Sequence, residues 1–408
     1  MNYLTSQHFR SVGISLNIES KVLDNAVLVH QRIRKQSPNR GVVFTLAHLA
    51  HLTGVHYNFL RMCVSDPGTG SYREFFIKKS TSGQKKNKRA ASRPMRRISI
   101  PAPMLMLVQR WILHRILHTA EGHEASVAFH KDADIKRAAK LHCGCRWLIK
   151  LDVQNFFESI TEEQVFKVFV RLGYPRLLSF ELARLCTKVI GPEDRSLSPT
   201  TRFANFGRGP YEDAAFIDPS TPRRLRRDAP LIVSRRVLPQ GAPTSPLLAN
   251  LAVTELDTEI LAIAEEHGLI YTRYADDIAL STKRKDFSRD EASQVIGKVY
   301  AAFARARLLP HTGKACVRPP GALKIVLGLV VNGPEPRLTR EYRNKLRLHA
   351  HILGRLGIEP ADHAKALGFR SVLSMRRHIY GKVEHARRIE PDFASKIADT
   401  LSKVNWLL

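Results

Sequence analysis

Apolar positions along the chain follow two rhythms, one close to the helical period and one that alternates as a strand does. From 42 to 64, Phe44, Leu46, Leu49, Leu52, Val55, Phe59, Leu60 and Cys63 recur at helical spacing with a break at Gly54, and residues 1–64 as a whole read as helical. Asp66-Pro-Gly-Thr-Gly70 closes this stretch with turn chemistry. Strand patterns follow at Tyr72 to Ile77 and at Arg96 to Ile100, the second stopped by Pro101-Ala-Pro103. Met104 to Thr119 predicts an amphipathic helix with Leu105, Val108, Trp111, Ile112 and Ile116 on one face. Ile135 to His142 predicts a short helix, and Arg146 to Val153 alternates as a strand with Asp152 near its end.

Thr161-Glu-Glu-Gln164 is an N-cap signature opening a helix to Leu172. The rigid loop Val237 to Pro246 feeds a helix predicted from Leu247 to Glu265. Tyr271 to Tyr274 and Ile278 to Thr282 predict two strands with Asp276 and Asp277 on the turn between them, where both carboxylates meet solvent. A helix from about Arg289 to Leu308, Lys314 in a loop, and an apolar strand from Lys324 to Val331 come next. From Thr339 the pattern is helical and basic, with Tyr342, Leu346, Leu353 and Leu356 on one side and Arg340, Arg343, Lys345, Arg347 and Arg355 around it. Strands mixed with helices in this order predict an α+β fold whose sheet is backed by two helices.

Charge changes the picture more than hydropathy does. Lys and Arg number 65 against 37 Asp and Glu, a formal net charge of +28 over 408 residues, which implies a polyanionic partner. Seven of the basic residues crowd the Ser/Gly-rich loop from Lys78 to Arg93, either a solvated loop or a flap over an anionic ligand. Residues 191–235 are rich in Pro, Gly, Ser and Arg and read as an insertion, with a basic cluster from Arg223 to Arg227. The polar start of the chain carries no signal-peptide pattern and no long apolar segment follows, so a cytoplasmic protein without membrane partners is expected. The five cysteines read as reduced and structural, because Cys143-Gly-Cys145 beside His142 lacks the second pair that structural zinc needs.

An adjacent pair of aspartates is by itself an ordinary turn. A third carboxylate, Asp152, ends a separate strand and can meet that turn in three dimensions, and three acids at one point require cations among them. Two Mg²⁺ ions about 3.5–4 Å apart would activate an attacking hydroxyl and stabilise a leaving pyrophosphate, which is nucleotidyl transfer.

Four motifs in order carry a resemblance. Tyr274-Ala-Asp-Asp277 resembles the catalytic box of reverse transcriptases, and Leu151-Asp-Val-Gln-Asn-Phe-Phe157 their first acidic motif. Leu238-Pro-Gln-Gly-Ala-Pro-Thr-Ser-Pro246 resembles the QGxxxSP motif, and Arg96-Arg-Ile-Ser-Ile-Pro101 the RxIxxP of the fingers. The wording of the loop and the run Gly328 to Asn332 are most similar to bacterial retron enzymes. Two boxes of that group are altered: NAxxH reads Ala138-Ala-Lys-Leu-His142 without its Asn, and VTG reads Val326-Leu-Gly328 without its Thr. Each change removes a polar side chain able to contact RNA.

The resemblance implies a right-hand polymerase: an N-terminal helical extension at 1–70, fingers at 71–145, a palm with an antiparallel sheet backed by helices at 146–335 that includes the insertion, and a helical thumb at 336–408. It implies that Asp152, Asp276 and Asp277, with the carbonyl of Val153, hold two Mg²⁺ ions, with Mn²⁺ as a substitute. Phe157 would exclude a 2′-hydroxyl, with a plain core phenylalanine as its alternative. Gln240 and Gly241 would line the nucleotide pocket, and Arg96 and Lys78 are candidates for the triphosphate. Lys314 is a candidate general acid for the pyrophosphate, and Tyr274 is placed beside the primer end. His142 is a candidate RNA contact or else a structural hydrogen-bonder, and Arg343 and Arg347 lie on the helix expected to track a duplex. The implied activity is RNA-directed DNA synthesis from dNTPs on a structured RNA, giving a branched RNA–DNA in phage defence, with a separate effector protein as a further partner. A related defence reverse transcriptase with another template is the near alternative, and a non-catalytic RNA-binding scaffold the remote one.

Overall fold

A computed structural model describes residues 6–65, 71–78, 95–131, 133–190 and 235–406. The basic loop after Lys78 and the 191–235 insertion with its Arg223–Arg227 cluster lie outside the described residues, apart from Lys78 and Arg235 at their ends.

The N-terminal extension is four helices, Ser6–Ser15, Ser20–Gln36, Leu46–Thr53 and Tyr57–Ser65. The break foreseen at Gly54 is a left-handed cap, φ +68°, which closes Leu46–Thr53. Strands β1 (Tyr72–Lys78) and β2 (Met95–Pro101) form an antiparallel hairpin from Tyr72↔Pro101 to Lys78↔Met95. The helix Pro103–Arg115 then buries Leu105, Val108 and Ile112 as the periodicity requires, and a short 3₁₀ turn, Leu117–Thr119, replaces its expected last turn.

Strand β3 (Trp147–Asp152) is central to the fold. Beyond it, Thr161 caps the helix Glu162–Arg171 in a full capping box with Gln164. Short strands β4 (Lys188–Ile190) and β5 (Arg235–Val237) pair across the insertion, so that segment leaves and re-enters the fold at one point, Ile190↔Arg235. Strands β6 (Ile270–Tyr274), β7 (Asp277–Thr282) and β8 (Cys316–Arg318) complete a four-stranded antiparallel sheet in the order β6-β7-β3-β8. The helix expected from Leu247 to Glu265 is two, Ser245–Ala252 and Thr254–Glu266, parted at Val253. Thr254–Glu266 packs on β6 and on the helix Arg289–Arg305.

One expectation fails here. Lys324–Val331 is not a single strand but two, β9 (Ile325–Val326) and β10 (Leu329–Val330), folded back on each other and joined by β11 (Arg337–Leu338) in a separate sheet. The reversal falls at Leu327 and Gly328, φ +50° and +82°, a pair of left-handed residues that turns a hairpin tightly. The C-terminal helices are Arg340–Ala350, Pro360–Ala366, Val372–Ile389 and Pro391–Ser402, with a π turn, His351–Arg355, continuing the first of them.

The apolar groups fall into two cores that meet at the sheet. Ile149, Leu151, Ile278, Leu280 and Tyr271 join the larger core with the N-terminal helices, while Leu148 and Ala279 join the C-terminal helices. Alternation along β3 and β7 sends neighbouring residues to opposite cores. The face carrying Leu148 and Lys150 also carries Asp152, so the sheet presents an acidic end on the side of the C-terminal helices.

Candidate active site

Antiparallel pairing of β3 and β7 sets Asp152 directly opposite Asp277. Like charges directly across a strand pair repel, so the pair needs positive charge beside it. Asp277 is the first residue of β7 and not part of the turn, which is only Ala275 and Asp276 between Tyr274 and Asp277. Ala275 takes φ +54°, as a tight two-residue turn requires. The acids are less exposed than a free turn would leave them: Asp276 and Asp277 are half-buried and Asp152 is 8% exposed. Burial first, and then the charges of Asp152 and Asp277, push the Asp276 carboxyl above its ordinary range.

Two lysines answer this charge. Lys314 Nζ bonds both oxygens of Asp152, at 2.8 and 3.0 Å, and Lys150 Nζ lies 3.4 Å from Asp277 Oδ1. The sequence reading named Lys314 and missed Lys150, which shares its β3 face with Asp152. Val153 is 1% exposed and its N–H donates to the Asp276 carbonyl at 3.1 Å, tying the end of β3 to the turn. Among the described residues no three acidic, His or Cys side chains close around a common point as a ligand set. Asp152 is turned to Lys314 and Asp277 to Lys150. The donor set itself, three carboxylates with no sulfur or imidazole, suits a hard divalent cation such as Mg²⁺.

Beneath the turn, on the core side of the sheet, Arg273 and Asp257 form an ion pair in which both side chains are fully buried. Arg273 donates to both Asp257 oxygens at 2.7 and 2.6 Å, to Asn250 Oδ1 at 2.9 Å and to the Ala275 carbonyl at 3.1 Å. Tyr271 donates its hydroxyl to Asp257 at 2.6 Å. Asn250 in turn donates to the Ala128 carbonyl at 2.7 Å. Sequence reasoning found none of this network.

The loop after β5 meets the fingers hairpin. Ser99 N–H donates to the Gln240 carbonyl at 2.7 Å, and Gly241 sits at φ +117°, where a Cβ would come within 2.9 Å of Ile98 Cγ2 and 3.0 Å of Ser99 O. The close approach that Gly241 permits is therefore to β2. Arg96 and Lys78 are exposed on β2 and β1 of that hairpin. Phe157 is half-buried, its ring 5.7 Å from that of Phe156 and 6.4 Å from that of Phe129. Phe129, which the sequence reading passed over, also lies 5.8 Å from the ring of Tyr274. It is held at φ +64°, a left-handed backbone uncommon for an aromatic residue.

His142 does not face solvent. It is fully buried, bridging Ser281 Oγ and Thr272 Oγ1 at 2.7 Å each, and burial lowers its pKa to about 4. Two neutral hydroxyls on adjacent strands satisfy both ring nitrogens, so the structural alternative holds. On the helix Arg340–Ala350, Arg343 turns inward to Glu390 at 3.7 Å, whereas Arg347 is exposed and covers the Phe393 ring at 5.4 Å. Among the described residues no helix is long and apolar enough to cross a membrane.

The chain is similar in sequence to known proteins across this region. Residues 78–317 match the family described as reverse transcriptase (RNA-dependent DNA polymerase). The Retron Ec86 reverse transcriptase of Escherichia coli is 29% identical over 264 residues, 65% of this chain and 67% of that one. The Retron Mx162 reverse transcriptase of Myxococcus xanthus is 27% identical over 316 residues, 74% of this chain and 59% of the relative. For the Retron Ec73 reverse transcriptase of Escherichia coli the values are 27% over 323 residues, 77% and 85%. A solved telomerase from Candida albicans, in complex with a fragment of telomeric RNA, aligns over 83% of this chain and 58% of its own at 10% identity and a TM-score of 0.39.

Proposed function

The chain belongs to the reverse transcriptase (RNA-dependent DNA polymerase) family, with retron enzymes among its relatives, and from that premise we propose that it copies a structured RNA into DNA in a retron. The observation that carries the reading is the placement of Asp152 opposite Asp277 beside the Asp276 turn. Asp152, Asp276 and Asp277, with the Val153 carbonyl, would hold two Mg²⁺ ions. When bound, these ions would lower the barrier to attack on a dNTP and neutralise the leaving pyrophosphate.

The remaining roles fall to the chain's own side chains. Arg96 and Lys78 reach for the triphosphate from the fingers hairpin. Gln240 and Gly241 shape the pocket where that hairpin docks. Phe157 closes the space beside the sugar, so that a deoxyribose fits and a ribose does not. Lys314, beside Asp152, hands a proton to the departing pyrophosphate. Tyr274 packs near the primer end, and Arg347 with its basic neighbours follows the duplex backbone. The domain limits proposed are fingers at 71–145, palm at 146–335 and thumb at 336–408, after the helical extension.

Asp277→Asn tests the assignment. It should abolish Mg²⁺-dependent dNTP incorporation on a primed RNA while leaving RNA binding nearly intact; retained polymerisation overturns the reading. The retron part has its own test. A primer that is a 2′-hydroxyl of the enzyme's own RNA leaves a branched RNA–DNA with the purified protein, whereas only unbranched DNA favours a related defence enzyme. In either setting a separate effector protein is the proposed partner in defence.

A further inference from the structure

The buried Asp257–Arg273–Asn250 network has two outlets. One is the Ala275 carbonyl, on the residue that precedes Asp276, held by Arg273 at 3.1 Å. The other is the Ala128 carbonyl, adjoining Phe129, held by Asn250 at 2.7 Å. Phe129 stands between the rings of Phe157 and Tyr274. Backbone bonds reinforce both ends: Arg273 N–H donates to Ala125 O at 2.7 Å, and Val127 N–H donates to Arg273 O at 2.9 Å. All three side chains are at most 3% exposed and none touches solvent chemistry. A fully buried arginine with its fork divided among a carboxylate, an amide and a carbonyl is a rigid junction, because the guanidinium is planar and its donors are fixed in direction.

We propose that Arg273 and Asn250 are positioning residues that fix two parts of the site against each other: the acidic turn, and the Phe129–Phe157–Tyr274 wall that would meet the sugar. Arg273 sets the turn and Asn250 sets the wall. The proposal rests on the polymerase reading for its kinetic consequences, but the physical coupling does not.

Replacing Arg273 with Lys keeps a charge for Asp257 and removes the fork that reaches Asn250 and Ala275. Misplacement of reacting groups by about 1 Å can lower the rate on the order of a hundredfold, so Arg273→Lys should depress kcat far more than it raises the dNTP KM. Asn250→Ala leaves Arg273 on Asp257 and Ala275 but frees the Ala128 carbonyl. It should keep kcat within a few-fold and relax the preference for dNTP over rNTP by about tenfold.

Hydrogen exchange supplies a readout independent of activity. In Asn250→Ala, protection should fall in residues 125–129 and persist in 273–277; in Arg273→Lys it should fall in both. If either core variant does not fold, Phe129→Leu, at the half-buried end of the network, must relax the preference for dNTP over rNTP by more than it changes kcat. Equal losses of kcat and discrimination in the two variants, unchanged exchange in both segments, or a neutral Phe129→Leu would overturn the proposal. A wild-type protein without polymerase activity would instead refute the functional reading, while the exchange data would still decide the coupling.

Discussion

Gly241→Ala isolates how the fingers hairpin is held to the palm. The glycine sits at φ +117°, a conformation side chains rarely adopt, and its Cβ would lie 2.9 Å from Ile98 Cγ2 and 3.0 Å from the Ser99 carbonyl. Backbone strain of this kind costs about 1–3 kcal/mol. The methyl group adds overpacking of about 1–3 kcal/mol, since one of its two neighbours is backbone and cannot rotate away. Relief requires β2 to retreat, which sacrifices the 2.7 Å bond from Ser99 N–H to Gln240 O, about 0.5–1.5 kcal/mol. Ser99 is also fixed on its other side, by Lys188 Nζ at 2.9 Å and Glu74 at 3.0 Å, so retreat disturbs the ion pair between buried Lys188 and exposed Glu74 as well. The net destabilisation expected is about 2–5 kcal/mol. Urea denaturation followed by circular dichroism measures it, and steady-state kinetics should show a raised dNTP KM because Arg96 moves with β2. A variant with wild-type denaturation midpoint and wild-type KM would refute the argument that this contact sets the fingers.

Two further outcomes follow from the same geometry. His142, depressed to about 4 from 6.5 by burial, stays neutral in the fold while the unfolded chain takes up its proton. Stability is therefore complete above about pH 6.5 and is lost as pH falls toward 4, by at most about 3 kcal/mol for this residue. His349, lowered to about 4 by burial and by His363 beside it, acts in the same direction. Denaturation at pH 7 and pH 5 reads the slope, and His142→Asn should flatten it; an unchanged slope in that variant rejects the assignment. Lys314→Met should lower kcat about 10²–10⁴-fold if the ammonium delivers a proton, with a smaller change in dNTP affinity. Single-turnover kinetics checks this, and full activity would mark Lys314 as a surface lysine.

The residues with side chains suited to the chemistry were legible because their types and spacing are restrictive. Asp152 and Asp277 come to face each other across β3 and β7 with Asp276 on the turn beside them, and Gln240 and Gly241 lie against β2. What stayed hidden depends on contacts between distant segments. Arg273 reads as a basic residue on a strand until Asp257, sixteen positions earlier, closes on it from a neighbouring helix. Phe129 has no periodic signal at all, since its place follows from a left-handed backbone in a loop. The apolar run Lys324–Val331 could not reveal its own reversal, because Leu327 is not a residue that announces φ +50°. His142 carried equal signals for a surface and a buried role, and only the hydroxyls of Thr272 and Ser281 decide between them.

Strand β3 also constrains how this chain can vary. Leu148 anchors the C-terminal helices and Asp152 anchors the acidic end, four residues apart on one face of the sheet. At about 3.3 Å per residue the two stand roughly 13 Å apart. Deleting or inserting one residue between them would shift that span by about 3.3 Å and turn one of the two into the opposite core, because side chains on a strand change sides at every step. The number of residues between 148 and 152 is therefore fixed by both anchors at once.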